Sequence, residues 1–206
     1  ITRYNKSRLY AAAVWALAFP STALLLIALI GRRAGGALLV GAVYGILFFG
    51  LLVSWTSRYL GPVPWAALSI LEGALTALAL VLITLAYRWI PKAFSGRWAR
   101  LLLLPAVVAA LWVGRELFVG SWPYGGFPWA RLGMTQAESP LAPVTSWIGV
   151  SGLSFLMVFL VASVIEVVRT REWRRPTALI APVLVTIVLL VTPLFPTTVS
   201  GSMRIA

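Results

Sequence analysis

The groups best placed for chemistry in this 206-residue chain are two carboxylates and one aromatic loop. Glu116 follows Arg115 one turn before the end of an apolar run, and Glu72 lies well inside another. A carboxylate at lipid depth is costly, so each must be paired, protonated or turned toward a polar cavity. For Glu72 a structural partner, such as a helix-end Arg, a Ser or a Trp N–H, competes with a functional role. The loop Gly120–Ser146 is about 27 residues long, whereas a plain connector between helices takes about two to eight. It carries Gly126-Phe127-Pro128-Trp129 and then Gln136, and it is aromatic and rich in Gly and Pro rather than polar. Prolines fix φ and glycines let backbones pass closely, so such a segment holds a defined shape at a membrane surface. Its rings can line a cleft reached from the lipid; the competing reading is a structural plug.

What is missing narrows the chemistry. The chain has no Cys, no His and no Asp, and its five acidic residues are all Glu. Zinc and transition-metal sites draw on the absent types, so no metal site and no cofactor are expected. A Ser-His-Asp triad and a Cys nucleophile are excluded within these residues, and disulfides are impossible. No residue of the chain is therefore expected to be catalytic.

The elements that must position the loop are helices in a membrane. Hydrophobic residues make up 61% of the chain and charged residues 11%, with a mean hydropathy of +0.95. A soluble protein of this size needs more charge to cover its surface, so this is an integral membrane chain. Six runs, Leu9–Ile30, Gly35–Trp55, Val63–Ile90, Leu101–Val119, Trp147–Val168 and Thr177–Phe195, are long enough to cross about 30 Å of hydrocarbon. Peptide groups in lipid must be satisfied internally, which makes each run a helix. Runs such as Ala79–Leu85 lack the polar–apolar alternation of a membrane barrel. The expected fold class is an all-α polytopic bundle of about six transmembrane helices with one long extracytoplasmic loop.

The net charge of +12 comes from 17 Lys and Arg, most of them in short loops between the apolar runs. Arg32, Arg33, Arg88, Lys92, Arg97, Arg100, Arg169, Arg171, Arg174 and Arg175 all fall on one side. Arg58, Arg131 and Arg204 fall on the other. The positive-inside rule makes the first side cytoplasmic and places the long loop and the C-terminus outside. Basic loops of this kind meet anionic headgroups, and no solvated basic face exists to suit nucleic acid. Arg3, Lys6 and Arg8 run against the rule, which is explained if a further segment precedes the chain. Trp55, Trp65, Trp122, Trp129 and Trp147 cluster at the outer ends as an interfacial belt. Gly41 and Gly45 have the spacing that lets two helices pack closely.

Three stretches resemble the central signature of apolipoprotein N-acyltransferase. They are Leu111-Trp112-Val113-Gly114-Arg115-Glu116, Gly126-Phe127-Pro128-Trp129 and Leu132-Gly133-Met134-Thr135-Gln136. Gly149 to Leu156 continues the likeness, as do Gly45–Trp55 and Gly61-Pro62 upstream. The chain looks like the membrane domain of that family, of the actinobacterial type, in a bacterial plasma membrane. The resemblance implies a helical bundle followed by an extracytoplasmic nitrilase-like domain with a Glu-Lys-Cys triad. The Cys takes an acyl chain from a phospholipid donor and passes it to the N-terminal amine of a diacylglyceryl-cysteine lipoprotein. It also implies that Trp129, with Gly126, Phe127 and Pro128, meets lipid substrate, while Glu116 and Gln136 order the loop around it.

The pattern is departed from at the end of the chain. Met203-Arg204-Ile205-Ala206 looks like the first strand of the nitrilase-like domain, so the expected division is a membrane domain over 1–200 and the start of that domain at 201–206. The triad is not in these residues, and the chain alone is expected to be inactive. A non-catalytic scaffold is the second reading, since the actinobacterial membrane region is associated with, or fused to, a polyprenol-phosphate mannose synthase. A small transporter would need internal repeats or matched broken helices, and none is visible.

Overall fold

The computed structural model describes residues 15–122 and 125–196. The described residues form helices joined by turns, with no strand among them, as backbone hydrogen bonding in lipid requires. In chain order these are α1 (Ala18–Leu29), α2 (Ala34–Leu52), the short α3 (Thr56–Leu60), α4 (Pro62–Ala93), α5 (Leu104–Val119), α6 (Thr145–Arg169) and α7 (Pro176–Val191). The segments Ala34–Leu52, Pro62–Ala93, Ala99–Val119 and Ala142–Arg169 are long and apolar enough to cross a bilayer, while α1 and α7 are shorter apolar helices. The chain is thus an all-α membrane protein; six spans were expected, and four segments of crossing length occur among the described residues. The basic start of the chain, residues 9–14 of the first expected span and the boundary at 201–206 lie outside the described residues.

Proline accounts for several of the differences. The last run was expected to reach Phe195, but α7 stops at Val191 and Thr192 turns extended, with ψ 116°, ahead of Pro193. The ring of a proline disfavours the helical conformation in the residue before it. Pro105 cannot donate to a carbonyl four residues back, and the chain answers with a wide π-turn over Ala99–Leu103 that leads into α5. Pro20 sits in the first turn of α1, where its missing N–H costs nothing. α4 has 32 residues, about 48 Å at 1.5 Å per residue, so its ends pass beyond the hydrocarbon on both sides.

Small residues set the tightest packing. A Cβ on Gly41 would sit 2.6 Å from Ala77 Cα, and one on Gly45 would sit 2.7 Å from Gly73 Cα. The backbones of α2 and α4 therefore touch along a seam that only glycine permits. Around it Leu26, Leu29, Ala37, Leu80, Ile83, Leu104, Val108 and Ala162 form one buried cluster joining α1, α2, α4, α5 and α6. Leu24, Leu39, Leu47, Leu51, Leu78 and Leu190 face outward, as side chains in contact with lipid do.

Candidate functional site

The site begins on α5, where Trp112 and Glu116 lie four residues apart and share one helical face. Trp112 Nε1 donates to Glu116 Oε1 at 2.9 Å, and the same oxygen accepts the Leu132 N–H at 2.8 Å. Glu116 is 3% exposed, and its carboxylate ties the loop to the helix beneath it. Two further bonds complete the attachment: Phe127 N–H to Val119 O at 2.7 Å, and Gly133 N–H to Ser154 Oγ on α6 at 2.8 Å. The loop needs glycine at both contacts. Gly126 has φ +75°, and a Cβ there would overlap the backbone of Gly120 and Ser121; one on Gly133 would fall 2.5 Å from Val150 O. Gly149 (φ 70°, ψ 175°) breaks α6 just before Val150, so the helix proper starts beneath the loop.

Held this way, the loop is compact, with 3₁₀ turns at Pro128–Ala130, Leu132–Gln136 and Ala142–Val144. Its aromatic residues extend a ladder that starts inside the bundle. Arg115 lies 5.4 Å above the buried Phe49 ring, and Phe49 meets Phe127 edge-on at 6.3 Å. Phe127 stacks on Trp129 at 6.0 Å, and Trp129 stacks on Trp55 at 6.1 Å. Trp129 itself is 62% exposed.

Beneath Trp129 lies a cavity of about 380 Å³ whose walls include Tyr44, Thr76, Trp112, Arg115, Trp129 and Arg131. That volume falls in the range of small-molecule pockets. Arg115 donates from Nη2 to Thr76 Oγ1 at 2.7 Å, and the Thr76 hydroxyl donates to the main-chain oxygen of Glu72 at 2.8 Å. Among the described residues Arg115 makes no ion pair with a carboxylate. The cavity therefore combines a largely apolar wall with two cationic side chains, Arg115 and Arg131.

The six candidate residues separate in space. Trp129 lines the cavity; Phe127 stacks behind it, and Gly126 and Pro128 shape the backbone that carries both. Glu116 lies on α5 under the loop, and Gln136 is a buried residue of the loop itself. Gln136 is fully buried, and its Nε2 donates to the Trp15 main-chain oxygen at 3.1 Å and to Thr135 Oγ1 at 2.8 Å. Glu72 is 1% exposed, and its Oε2 has no hydrogen-bond partner. Arg115, Tyr44 and Thr76 went unmarked as site residues. Only Arg115 carried a signal, as a cation inside an apolar run; Tyr44 and Thr76 reach the cavity through the α2–α4 seam. Among the described residues no group of metal-binding type and size occurs.

Fold and site define a membrane-embedded helical domain whose cavity is roofed by a glycine-anchored aromatic loop. The chain belongs to the apolipoprotein N-acyltransferase family: residues 9–163 match the model of the apolipoprotein N-acyltransferase N-terminal domain. It is 32% identical over 161 residues to the apolipoprotein N-acyltransferase of Haemophilus ducreyi, covering 76% of this chain and 30% of the relative. With that of Azotobacter vinelandii it shares 34% identity over 171 residues, covering 81% and 32% respectively. With that of Nitrosomonas europaea the identity is 37% over 153 residues, covering 68% and 29%. The chain thus spans about a third of the length of the curated relatives it matches.

Proposed function

We propose that this chain is the lipid-handling membrane domain of an apolipoprotein N-acyltransferase. Its cavity admits a phospholipid acyl donor and, in turn, the diacylglyceryl-modified N-terminus of a lipoprotein. The nucleophile is a Cys outside these residues, since the 206 contain none. Its thiolate attacks the ester carbonyl, and the lysophospholipid leaves with a proton. The lipoprotein amine then attacks the thioester, the thiolate is expelled, and the amine's proton passes to a base. Such a two-step transfer runs through a covalent intermediate on one site.

The observation that carries this reading is Trp129 roofing a cavity that has Arg115 on its wall. A largely apolar pocket with arginines in its lining suits a ligand with acyl chains and a phosphate. The names of the relatives support lipid and lipoprotein substrates, and the loop end then faces outside, where mature lipoproteins are acylated. Glu116 and Gln136 act as positioning residues that hold the roof at its height. The test is Trp129→Ala in the full-length protein, assayed for acyl transfer to a lipopeptide in vesicles. Turnover is expected to fall by about tenfold, since two ring stacks are lost while membrane insertion is kept. Turnover equal to the parent would remove Trp129 from the site.

A further inference from the structure

Two polar cavities open at the end of the bundle opposite the Trp129 loop. One, about 750 Å³, is walled by Tyr87, Arg88, Lys92, Arg97, Arg100 and Arg169, among others. The second, about 400 Å³, shares Tyr87, Arg88, Lys92 and Arg169 and adds Arg32, Arg33 and Thr84. Seven cationic side chains surround the pair. Of the nearby carboxylates, Glu172 pairs with Arg97 at 3.2 Å and Arg175 at 3.4 Å, and the buried Glu166 pairs through Oε2 with Arg169 at 3.0 Å, while its Oε1 has no hydrogen-bond partner. Arg32, Arg33, Arg88, Lys92 and Arg100 make no ion pair among the described residues.

Orientation in the membrane accounts for basic residues at this end, but not for their closing around shared cavities. A second observation is independent of charge. Tyr87 lines both cavities and is 6% exposed, yet its hydroxyl has no hydrogen-bond partner; Thr84, 2% exposed in the wall of the smaller one, is in the same state. Buried hydroxyls are normally paired, so two orphans facing a cationic cavity point to an acceptor that completes them. Trp89, Phe94 and Trp98 stand exposed close by in the chain, at the depth where aromatic rings meet glycerol and headgroup.

We infer that these joined cavities bind the phosphodiester headgroup of an anionic phospholipid, with Arg88, Lys92 and Arg169 around the phosphate and Tyr87 donating to it. This lipid sits in the leaflet opposite the Trp129 cavity, so it is a bound structural lipid and not the acyl donor. The reading stands whether or not the acyl-transfer proposal does.

Native mass spectrometry of the protein in detergent micelles tests it, with cardiolipin, phosphatidylglycerol or phosphatidylcholine added. The anionic lipids are expected to be retained about tenfold better than phosphatidylcholine. Replacing Arg88 and Lys92 together by Gln should abolish most of that preference, again by about tenfold. Tyr87→Phe should weaken retention by about threefold, the loss of one hydrogen bond. Arg88→Lys keeps the charge and should keep binding, which separates lost affinity from lost fold. Arg58→Gln, an exposed cation at the other end, should change nothing. Three results would each overturn the inference: equal retention of all lipids, an equal loss in Arg58→Gln, or full displacement of lipid by millimolar inorganic phosphate.

Discussion

Glu116 shows how one side chain governs the loop. Its Oε1 takes two N–H groups, a buried one from Trp112 at 2.9 Å and a half-buried one from Leu132 at 2.8 Å. Glu116→Leu strands both donors and is expected to destabilise the protein by about 2–4 kcal/mol. Glu116→Gln keeps an acceptor oxygen in place, so its cost should stay below about 1.5 kcal/mol. Thermal denaturation in detergent, with proteolysis of the loop followed in parallel, ranks the two; equal midpoints would deny the clamp. Arg115, next in the chain, serves the cavity instead. Neighbours on a helix point about 100° apart, so one faces under the loop and the other into the pocket.

At the scale of elements, the seam between α2 and α4 decides where the cavity forms. Tyr44 from α2 and Thr76 from α4 line one cavity because Gly41, Gly45 and Gly73 let the two backbones touch. Gly45→Val is expected to cost about 2 kcal/mol or more by forcing the helices apart. Gly50→Ala, where a Cβ would find Trp65 Cζ2 at 3.8 Å, should be tolerated. Comparison of their melting temperatures checks the seam, and similar losses in both would argue against it. The break in α6 makes a second case. Gly149 has open space around its missing Cβ, so Gly149→Ala meets no clash but must hold φ 70° with ψ 175°, a region essentially reserved for glycine, at about 1–3 kcal/mol.

At the scale of the whole molecule, the bundle has one aromatic end and one basic end, and the proposed orientation in the membrane rests on them. The chain has no Cys, so single cysteines can be read without background. Ser121→Cys, exposed beside the loop, is expected to react with an impermeant maleimide on intact cells. Ser95→Cys, exposed between Lys92 and Arg97, should react only after the membrane is opened. Labelling of both from one side would overturn the orientation and, with it, the placing of the Trp129 cavity outside.

What could be read from the sequence followed from local chemistry. Apolar runs name helices because lipid leaves the peptide group no other partner. Glu116 and the Gly126–Trp129 stretch drew notice as a carboxylate and an aromatic, Gly- and Pro-rich loop in an apolar chain, while the roles given to them and to Gln136 came from the family resemblance. Helix ends were less legible: Pro193 cut short the last run, Pro105 widened a turn, and Gly149 broke a run that hydropathy reads as continuous. Of the cavity floor only Arg115 left a trace in the sequence, as a cation inside an apolar run. Tyr44, Thr76 and Arg115 come from three helices, and Tyr87, Arg88 and Arg32 close a second site at the other end. Composition reports how deep a side chain sits, through its transfer cost. Which faces of two helices meet depends on backbone contact across the glycine seam, and only the tertiary structure decides that.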